Sequence, residues 1–445
     1  MRGAQGVENA NIAIARLSRG GYEAYLVGGC VRDMLMGQEP SDIDITTSAV
    51  PEEIIEVFKD CKTVPTGISH GTVTVIINGE PIEITTFRSD GDYGDHRHPS
   101  SVAFSKSIED DLRRRDFTVN AMAYSERVGV IDLFGGRDDL RNKVIRAVGE
   151  PEKRFEEDAL RILRALRFAS QKDFTIEKNT SDAIRECLPL IKHVSAERVF
   201  TELKKLLLGK GVLRVLLEYP DVMCKIIPEL TKSVGFEQHN PHHVYDVYTH
   251  IAHAVAHCPN DVDIRLAALL HDVGKPDTFS LKDGVGHFYG HTDASLVHAE
   301  KALERLKCDN VTKKTVLTLI KYHDGVIEPT EKAVKRALNK LGEEMLEKLL
   351  CLKAADNLAQ NESCFGRLET YDKIRQIVKE TNERNECFSV KSLALNGDDL
   401  IALGIPRGRQ IGQVLDALLS EVMDASLENK KETLLTRARE LAIKP

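Results

Sequence analysis

Hydrophobic and polar residues alternate with a period of two in several short segments of the first 90 residues, a pattern typical of half-buried β-strands. The segment GTVTVIINGEPIEITTFR holds two such runs joined by Asn78 and Gly79, a strong two-residue signal for a β-hairpin. Between the strands, VRDMLMG and PEEIIEVF have the composition and spacing of helices. The N-terminal part is therefore predicted to be a head built on a small sheet.

From about residue 150 onward the pattern changes to amphipathic helices with almost no alternating runs. Breaks occur near Gly209, Pro220 and Pro228, where glycine or proline interrupts the helical pattern. We therefore expect the α+β class, with a small sheet head followed by helical domains.

Two aspartates stand close to two adjacent glycines in the segment YLVGGCVRDMLMGQEPSDIDITT. The part SDIDITT predicts a strand, and because side chains alternate along a strand, Asp42 and Asp44 would share one face. Neighbouring carboxylates repel unless a divalent cation such as Mg²⁺ compensates them. The glycines would let the backbone approach phosphate, and Arg32 would pair with phosphate oxygens. The segment predicts a nucleoside triphosphate site, with a surface turn and solvated aspartates as the alternative.

The composition excludes several classes of protein. The chain has 445 residues, 42% of them hydrophobic and 29% charged, which suits several globular domains. No apolar run reaches membrane-spanning length, so we expect a cytoplasmic location and no membrane partner. Nine cysteines without a C-x-x-C pair favour reduced thiols over a disulfide framework or a structural zinc site. A net charge of -8 argues against indiscriminate DNA binding.

Three further features are candidates for function. Glu83, on the returning strand of the hairpin, is a candidate third carboxylate beside the aspartates. The polar segment between Arg88 and Val102 is longer than an ordinary connection needs, which is typical of functional loops. A basic stretch predicts either a phosphate-binding face or a solvated helix face, and its residues are Lys192, Arg198, Lys204, Lys205, Lys210 and Arg214.

Three motifs resemble the signature of a known family. LVGGCVRDMLMGQEPSDIDITT, RRRDFTVNAMAY and EDALRILRALRFA are similar, in order and spacing, to the motifs of class II tRNA nucleotidyltransferases, the CCA-adding enzymes. The resemblance covers residues 20 to about 230 and implies a nucleotidyltransferase head of the polymerase-beta superfamily. It implies that Asp42 and Asp44 bind Mg²⁺ while Gly29 and Arg32 contact the triphosphate. Bacterial poly(A) polymerases share these motifs, so the product stays open.

The motif RRRDFTVNA is implied by the same resemblance to contact the nucleotide. Arg115 corresponds to a nucleotide contact, and Asp116 and Asn120 help to shape the ribose pocket. The alternative is a capped helix start, in which Asp116 or Thr118 accepts hydrogen bonds from backbone N–H groups.

In EDALRILRALRFA the resemblance implies that Asp158 and Arg161 form a protein template for the base edge of CTP or ATP. Both bases present an amine beside a ring acceptor, whereas U and G do not, so a carboxylate and a guanidinium suit them. Three residues apart, the two side chains are expected to share one helix face. Arg164 and Arg167 are predicted nucleotide contacts too, although Arg167 would lie nearly opposite Asp158. RNA phosphate or nearby glutamates are alternative partners.

A second resemblance covers roughly residues 240 to 360. HNPHHVYDVYTHIAHAV, LAALLHDVGK, YHD and KAADNLAQ are similar to the motifs of HD-type metal phosphohydrolases. Imidazoles and carboxylates together suit a divalent transition metal that activates water, whereas any single histidine is more often structural. The ligands that the resemblance implies are His250, His271, Asp272 and Asp356, with His291 and His323 as further candidates.

The C-terminal segment LALNGDDLIALGIPRGRQIGQVLDALLSEVMD resembles the tail of HD-containing CCA-adding enzymes. Its GIPRG turn is suited to placing N–H groups against phosphate, with simple helix packing as the alternative. Four domains are predicted: a nucleotidyltransferase head over 1–148, a helical neck with the nucleotide-selecting helix and an RNA-binding region over 149–235, an HD-type metal domain over 236–360, and a helical tRNA-binding tail over 361–445.

The resemblance implies template-independent addition of C, C and A to the 3′ end of tRNA from CTP and ATP, by Mg-dependent nucleotidyl transfer. It also implies that both nucleotides are used, because members that add only CC lack the loop RSDGDYGDHRHP, which is intact here. The alternatives are poly(A) synthesis, partial addition of CC or A, tRNA binding without catalysis, and an HD-type phosphohydrolase acting on phosphorylated RNA ends or nucleotides.

Overall fold

The computed structural model describes residues 2–40, 42–68, 71–90, 102–384, 387–424 and 426–443. The chain divides into two compact units, which are Met1–Pro228 with Arg305–Lys307, and Glu229–Glu304 with Cys308–Pro445. The predicted head and residues 149–228 of the predicted neck belong to the first unit, and residues 229–235 belong to the second. The domain borders predicted at 148/149, 235/236 and 360/361 stay predictions.

The first unit contains eleven strands and eleven helices in its described residues. The strands are β1 (Ala24–Val27), β2 (Asp44–Thr47), β3 (Thr63–Gly67), β4 (Thr72–Ile77), β5 (Glu80–Thr86), β6 (Arg88–Asp90), β7 (Val102–Phe104), β8 (Met122–Ser125), β9 (Gly129–Asp132), β10 (Val144–Ile145) and β11 (Thr175–Ile176). The helices are α1 (Arg2–Arg19), α2 (Gly29–Leu35), α3 (Pro51–Val57), α4 (Ile108–Arg113), α5 (Gly136–Asn142), α6 (Pro151–Glu157), α7 (Leu160–Lys172), α8 (Lys178–Glu186), α9 (Ala196–Leu207), α10 (Val212–Glu218) and α11 (Pro220–Ile226).

Seven of these strands form one sheet with the spatial order β3-β4-β5-β2-β1-β8-β9. Neighbouring strands run antiparallel except β2 and β5, which are parallel. Parallel strands need a crossover connection, and here α3, β3 and β4 supply it. The register pairs Asp44 with Val27 on one side and with Glu83 on the other. The end of β1 therefore lies directly beside Asp44, and Glu83 lies one strand further.

The hairpin predicted at Asn78 and Gly79 is confirmed. These two residues join β4 to β5 with φ values of 51° and 84°, the pair of positive angles that a type I′ turn requires. The strand predicted over SDIDITT is shorter than expected, because it begins at Asp44. Asp42 precedes the strand, so the expectation that both aspartates alternate along it is wrong.

The core of the head lies between the sheet and helices α1 and α3. Leu17 of α1 and Ile54 of α3 pack with the strand residues Leu26, Ile45 and Ile84, and all five are fully buried. Because Ile45 points into this core, strand alternation turns Asp44 toward the opposite face. The polar loop predicted between Arg88 and Val102 falls on residues 91–101, which lie outside the described residues.

The second unit is mainly helical. Its hairpin is β12 (Ser280–Lys282) with β13 (Val285–His287), and its helices are α12 (Val247–His257), α13 (Val262–Leu270), α14 (Lys275–Thr278), α15 (His291–Arg305), α16 (Asn310–Tyr322), α17 (Glu331–Leu341), α18 (Glu343–Leu358), α19 (Gly366–Glu383), α20 (Gly397–Ala402), α21 (Arg409–Met423) and α22 (Lys431–Ile443). The GIPRG segment forms the turn between α20 and α21, as predicted.

Two general expectations can be compared with the structure. All nine cysteines are free, which confirms the prediction of unpaired thiols. Among the described residues, none of the helices combines the length and the apolar character needed to cross a membrane. The predicted cytoplasmic location stays a prediction.

Candidate active site

The turn after β1 brings the glycine backbone against two arginines. Gly28 has a φ of 79°, in the left-handed region that glycine favours. A Cβ atom on Gly28 would lie 3.0 Å from Nη1 of Arg115, and one on Gly29 would lie 3.5 Å from Nη2 of Arg32. Arg115 is held in place by the buried Asp111, with 3.1 Å between Nη2 and Oδ2. The turn therefore joins the predicted phosphate contacts in one place.

Three carboxylates lie beside this turn. Asp42, Asp44 and Glu83 line a cleft of about 790 Å³, within the usual size range of ligand pockets. Asp44 is exposed within the cleft, yet partial desolvation by the surrounding protein raises the pKa of its carboxyl group. Arg115 opposes that shift, while Glu83 and Asp42 add to it through like-charge repulsion. Glu83 thus lies where the sequence placed a candidate third carboxylate.

The repulsion among these carboxylates fits a bound divalent cation. Each neighbouring negative charge disfavours the ionised form of Asp44, and a cation between the carboxylates removes that cost. Carboxylate oxygens are the hard ligands that Mg²⁺ prefers. The ligand atoms of Asp42, Asp44 and Glu83 are not among the described groups whose members all lie within 4.8 Å of one another. The donor set therefore suits Mg²⁺, in a more open arrangement than the second cluster described below.

A chain of hydrogen bonds links the phosphate turn to helix α7. Nη1 of Arg32 donates to Oδ1 of Asn120 at 2.6 Å, and Nδ2 of Asn120 donates to Oδ1 of Asp116 at 3.1 Å. Nε and Nη2 of Arg164 donate to Oδ2 of Asp116 at 2.8 and 2.5 Å. Asp116 also accepts from the backbone N–H of Phe117, which is the alternative role that the sequence allowed. Asp116 therefore connects Arg32, through Asn120, with Arg164 of the predicted nucleotide-selecting helix.

Asp116 is expected to contribute measurably to stability. Burial opposes its ionisation, but Arg164, the hydrogen bond from Asn120 and the charge of Arg161 together outweigh burial and lower the pKa from 3.8 to about 2. A shift of that size corresponds to about 2 kcal/mol, so Asp116→Asn should lower the free energy of unfolding by about that amount at pH 7. Because the folded pKa lies below the unfolded one, the deficit should be constant above about pH 5. It should shrink as the pH falls below 3.8.

Urea denaturation of the wild type and Asp116→Asn at pH 7, 5 and 3.5 measures this deficit. Equal stability of the two proteins at pH 7 would contradict the assignment. A difference in the free energy of unfolding that is as large at pH 3.5 as at pH 7 would also contradict it. Such a difference could not come from the ionised carboxylate of Asp116 alone.

The predicted helix over EDALRILRALRFA is in fact two helices. α6 ends at Glu157 and α7 begins at Leu160, while Asp158 between them is extended, with φ -141° and ψ 102°. The expectation that Asp158 and Arg161 share one helix face is therefore wrong. The reason is local, because Oδ1 of Asp158 accepts from the N–H of Leu160 at 3.0 Å and so satisfies a free donor at the start of α7. Oδ2 of Asp158 accepts from Nη2 of Arg198 on α9 at 3.1 Å.

Arg161 is held close to this break. Its Nη1 donates to Oε2 of Glu157 at 2.6 Å and to the carbonyl oxygen of Arg154 at 3.2 Å. Its Nη2 donates to the carbonyl oxygen of Arg114, in the motif RRRD, at 3.0 Å. Arg161 is only 9% exposed, so these contacts fix its orientation against the head.

Arg164 and Arg167 both lie close to the ring of Phe168, and Arg164 also contacts Asp116 of the head. Their Cζ atoms are 5.4 and 4.1 Å from the ring centroid of Phe168, and Cζ of Arg32 is 5.3 Å from the same centroid. Arg167 also pairs with Glu202 of α9, with 3.2 Å between Nε and Oε2. The expected position of Arg167 opposite Asp158 stays a prediction without its original basis, because Asp158 lies outside the helix along which the rotation was counted.

The predicted basic face over 192–214 is partly used for internal pairing. Arg198 pairs with Asp158, and Nη1 of Arg214 lies 2.8 Å from Oδ1 of Asp173. The exposed members of the face are Lys192, Lys205 and Lys210. The choice between an RNA-binding face and a solvated helix face stays open for these lysines.

The second unit brings all predicted HD ligands together. The ligand atoms of His250, His271, Asp272 and Asp356 lie within 4.8 Å of one another, and so do those of Asp272, His291 and His323. Asp272 belongs to both groups. Its Oδ2 lies 3.3 and 3.2 Å from Nε2 of His250 and His271, and its Oδ1 lies 3.5 and 3.8 Å from Nε2 of His291 and His323.

The orientation of the four imidazoles fits metal binding. Each ring turns Nε2 into the cluster, because Nδ1 is 2.7 to 3.2 Å from a backbone carbonyl oxygen, as in metal-binding histidines. The Nε2 atoms of His250 and His271 are buried and lack a well-aligned hydrogen-bond partner among the described residues. When a metal replaces the Nε2 protons, two buried imidazoles beside two carboxylates are a suitable donor set for a divalent transition metal.

The charges in this cluster also favour a cation. Burial disfavours a charged imidazole at His271, yet Asp272 raises the pKa of His271 to about 10. Burial opposes ionisation of Asp272, but His271 and Lys275 lower its pKa well below the usual range. A divalent cation can supply the positive charge that the carboxylates otherwise draw from protons. Nζ of Lys275 lies 2.7 Å from Oδ2 of Asp272, and Lys275 lines the same pocket as Arg367.

Sequence reasoning missed several residues of both sites. Lys275 was visible in the motif HDVGK, where a lysine three residues after the aspartate reaches back to it on the same turn. Asp111, which holds Arg115, was visible in the same way, because the two residues are four positions apart. Glu202, which holds Arg167, had no such signal, because its partner lies on another helix and only the folded structure brings the two together.

Comparisons with known proteins were consistent along the chain. The family model described as "Poly A polymerase head domain" matches residues 24–146. The model described as "Probable RNA and SrmB- binding site of polymerase A" matches residues 173–232. A model of tRNA nucleotidyltransferase domain 2 matches residues 287–438.

Individual relatives give the same result over most of the length. The CCA-adding enzyme of Ligilactobacillus salivarius is 34% identical over 438 residues, which are 96% of this chain and 95% of the relative. That of Geobacillus stearothermophilus is 50% identical over 203 residues, or 46% and 50% of the two chains. The crystal structure of the Bacillus stearothermophilus CCA-adding enzyme with CTP has a TM-score of 0.73 at 29% identity, and covers 98% of this chain and 97% of that one. The chain therefore belongs to the CCA-adding enzyme family.

Proposed function

We propose that the chain adds C, C and A to the 3′ end of tRNA without a nucleic-acid template, using CTP and ATP. The observation that carries the proposal is the hydrogen-bond chain from Arg32 through Asn120 and Asp116 to Arg164. It links the turn after β1 to the helix predicted to select the nucleotide, which supports a single site. The names of the relatives at 34% and 50% identity support the same activity.

In the proposed mechanism, some residues of the head bind the metal and others bind the triphosphate. Asp42 and Asp44 would hold Mg²⁺, with Glu83 as a third ligand. When bound, Mg²⁺ draws the RNA 3′-hydroxyl toward the α-phosphate and offsets charge on the departing pyrophosphate. Arg32 is buried beside Gly29 and neutralises the phosphate oxygens from a fixed position. Catalysis here depends on positioning and on electrostatic stabilisation.

The base would be selected at the junction of α6 and α7. Asp158 accepts a hydrogen bond from the exocyclic amine of cytosine or adenine, and Arg161 donates to the neighbouring ring acceptor. Uracil and guanine present an oxygen where the amine would be, and an ionised carboxylate has no proton to donate to it. Arg115, Arg164 and Arg167 complete the set of proposed nucleotide contacts.

Single-nucleotide assays on two forms of tRNA test the proposal. A tRNA that ends before CCA should gain two residues from CTP alone, none from ATP alone, and three from both together. A tRNA that already ends in CC should gain one residue from ATP. Long extension with ATP alone would indicate poly(A) synthesis, and arrest at CC with both nucleotides would indicate partial addition.

A second candidate function rests on the cluster in the second unit. We propose that it binds a divalent transition metal and hydrolyses phosphate esters, such as those of phosphorylated RNA ends or nucleotides. The supporting observation is the pair of buried Nε2 atoms, on His250 and His271, beside Asp272 and Asp356. When bound, such a metal activates water for attack on phosphorus. Lys275 would hold the phosphate.

Loss of bound metal in His271→Ala is the expected result that tests this cluster. After loading with Mn²⁺ and dialysis against metal-free buffer, the wild type should retain Mn²⁺ and His271→Ala should lose at least about 90% of it, since second-shell changes alone cost about 10 to 100-fold in affinity. Elemental analysis measures the retained metal. His298→Ala is a matched control, because His298 lies on α15 and pairs with Asp277 outside the cluster. Equal retention by all three proteins would show that the ligand assignment is wrong.

A further inference from the structure

Two stacked aromatic rings lie at the pocket that contains the histidine and aspartate cluster of the second unit. The ring centroids of His287 and Tyr289 are 5.3 Å apart, and the angle between the ring planes is 6°. Both residues line a pocket of about 350 Å³, which is also lined by Asp272, Asp356 and His291. Tyr289 is 77% exposed, so burial in the fold does not explain why an aromatic ring stands there.

The strand β13 holds this pair of rings in a fixed place. The backbone N–H of Gly286 donates to the carbonyl oxygen of His239 at 2.7 Å. The carbonyl oxygen of Gly286 accepts from Nδ2 of Asn240 at 3.1 Å. These hydrogen bonds attach β13 to the segment before α12, one residue away from His287.

Phe288, between the two stacked residues, is used for internal packing. Its ring centroid is 5.6 Å from that of Phe279 and 5.3 Å from Nζ of Lys275. Its carbonyl oxygen lies 2.9 Å from Nδ1 of His291, a candidate metal ligand. The segment that carries Tyr289 is therefore anchored by Phe288 and leads directly into the cluster.

We infer that Tyr289, supported by His287, receives the base of a nucleoside phosphate whose phosphate group lies at the histidine and aspartate cluster. The inference rests on the second candidate function and deepens it, because it narrows the substrate from any phosphate ester to an ester that carries a base. Tyr289 determines specificity and takes no part in the hydrolysis itself.

The pocket offers separate partners for the phosphate and for the base. Lys275 and the exposed Arg367 supply positive charge for the phosphate. The ring of Tyr289 supplies a face on which a base can stack, and because it already stacks on His287 it loses less freedom on binding. A volume of about 350 Å³ is near the lower end of the range for ligand pockets, which suits a single nucleotide.

Stacking on Tyr289 should accept all four bases, because every base has a π-face. This differs from the head, where Asp158 and Arg161 are proposed to select cytosine and adenine. Guanosine 3′-monophosphate is therefore a suitable probe, since guanine is a base that the proposed site in the head rejects. Its base-free counterpart is 2-glycerophosphate, which is also a phosphate ester of a secondary alcohol.

The test compares Tyr289→Ala and Tyr289→Phe with the wild type and with Leu281→Ala, all loaded with Mn²⁺. Leu281 is a matched control, because it is an exposed apolar residue of the same hairpin that does not line the pocket. We expect the KM for guanosine 3′-monophosphate to rise about tenfold in Tyr289→Ala with little change in kcat, as for one lost stacking contact. Tyr289→Phe and the control should stay near the wild type. The constants for 2-glycerophosphate should be the same in all four proteins.

The other outcomes overturn the inference. An unchanged KM for guanosine 3′-monophosphate in Tyr289→Ala would show that the ring does not meet the base. An equal loss for both esters, or loss of retained Mn²⁺ in elemental analysis, would show that Tyr289 has a structural role in the pocket. If Tyr289→Ala does not fold, Tyr289→Leu is compared in its place, because leucine is apolar and has no π-face.

A short RNA that ends in guanosine 3′-phosphate, assayed beside the free nucleotide, identifies the source of the ester. A lower KM for the RNA indicates that RNA ends are the substrates, and a lower KM for the nucleotide indicates free nucleotides. Both results agree with the inference if Tyr289→Ala raises the lower of the two values. If Tyr289→Ala raises neither value, the inference is wrong.

A binding measurement distinguishes this inference from the proposed hydrolysis. Equilibrium dialysis of guanosine 3′-monophosphate is carried out with the Mn²⁺-loaded wild type and Tyr289→Ala. A wild type that hydrolyses neither ester but binds the nucleotide about tenfold more tightly than Tyr289→Ala would refute the hydrolysis and retain the inference. A wild type that hydrolyses both esters but binds the nucleotide no better than Tyr289→Ala would retain the hydrolysis and overturn the inference. A wild type that does not bind the nucleotide would also overturn it.

Discussion

Asp42→Ala is expected to abolish nucleotide addition while tRNA binding stays unchanged. In the proposed mechanism this carboxylate is a ligand of Mg²⁺, and such an ion contributes several kcal/mol of transition-state stabilisation. About 4 kcal/mol corresponds to a loss of about 10³-fold in rate. The substitution should not disturb the fold, since Asp42 is exposed and precedes β2. The expected result separates a nucleotidyltransferase from a protein that only binds tRNA.

The measurement is incorporation of labelled CTP into tRNA, alongside a gel-shift titration of the same tRNA. Asp138→Ala is a matched control, because Asp138 is an exposed aspartate of the head that pairs with Arg141 on the surface of α5. Addition within tenfold of the wild type in Asp42→Ala would contradict the mechanism. Loss of tRNA binding together with addition would point to a damaged surface instead.

Asp158→Ala is expected to reduce base discrimination more than it reduces binding of the triphosphate. Losing a hydrogen-bond partner of the base edge costs about 1 to 3 kcal/mol of discrimination, or about 5 to 150-fold. The proposed metal and the proposed phosphate contacts of Gly29 and Arg32 do not distinguish the bases. The kcat/KM values for UTP and GTP should therefore rise relative to those for CTP and ATP. The inhibition constant of pyrophosphate should stay near its wild-type value.

Asp158→Asn provides the matched comparison for this prediction. An asparagine retains an acceptor for the N–H of Leu160, and it also adds an NH₂ donor that can meet the oxygen of uracil or guanine. It should accept UTP at least as well as Asp158→Ala does, with less effect on stability. If both variants keep the full preference for C and A, the junction of α6 and α7 is a structural brace, and the template assignment must be abandoned.

The head could be predicted from local signals. Alternation, the Asn78-Gly79 turn and the paired glycines each depend on residues close in sequence, and they define the hairpin and the phosphate turn. The proximity of Glu83 to Asp44 was only a possibility, because a parallel register joins residues 39 positions apart and no local rule sets it.

In the nucleotide-selecting segment, hydrophobic periodicity alone did not predict where one helix ends and the next begins. The apolar spacing of EDALRILRALRFA fits one helix, but a capping hydrogen bond from Leu160 to Asp158 starts a new helix instead. Such breaks occur where a side chain, in place of a backbone carbonyl, accepts a hydrogen bond from a backbone N–H group. Aspartate side chains do this readily. Arg198 was visible only as one of six basic residues, since its pairing with Asp158 depends on how α9 packs in the folded chain.

Sequencing of tRNA 3′ ends after incubation with all four nucleoside triphosphates tests the central claim most directly. The substrate is a tRNA that ends before CCA, and ATP, CTP, GTP and UTP are present at equal concentration. The account predicts that most products end in CCA, with no further extension and with little U or G. Long A tracts, products that stop at CC, or frequent incorporation of U and G would contradict it.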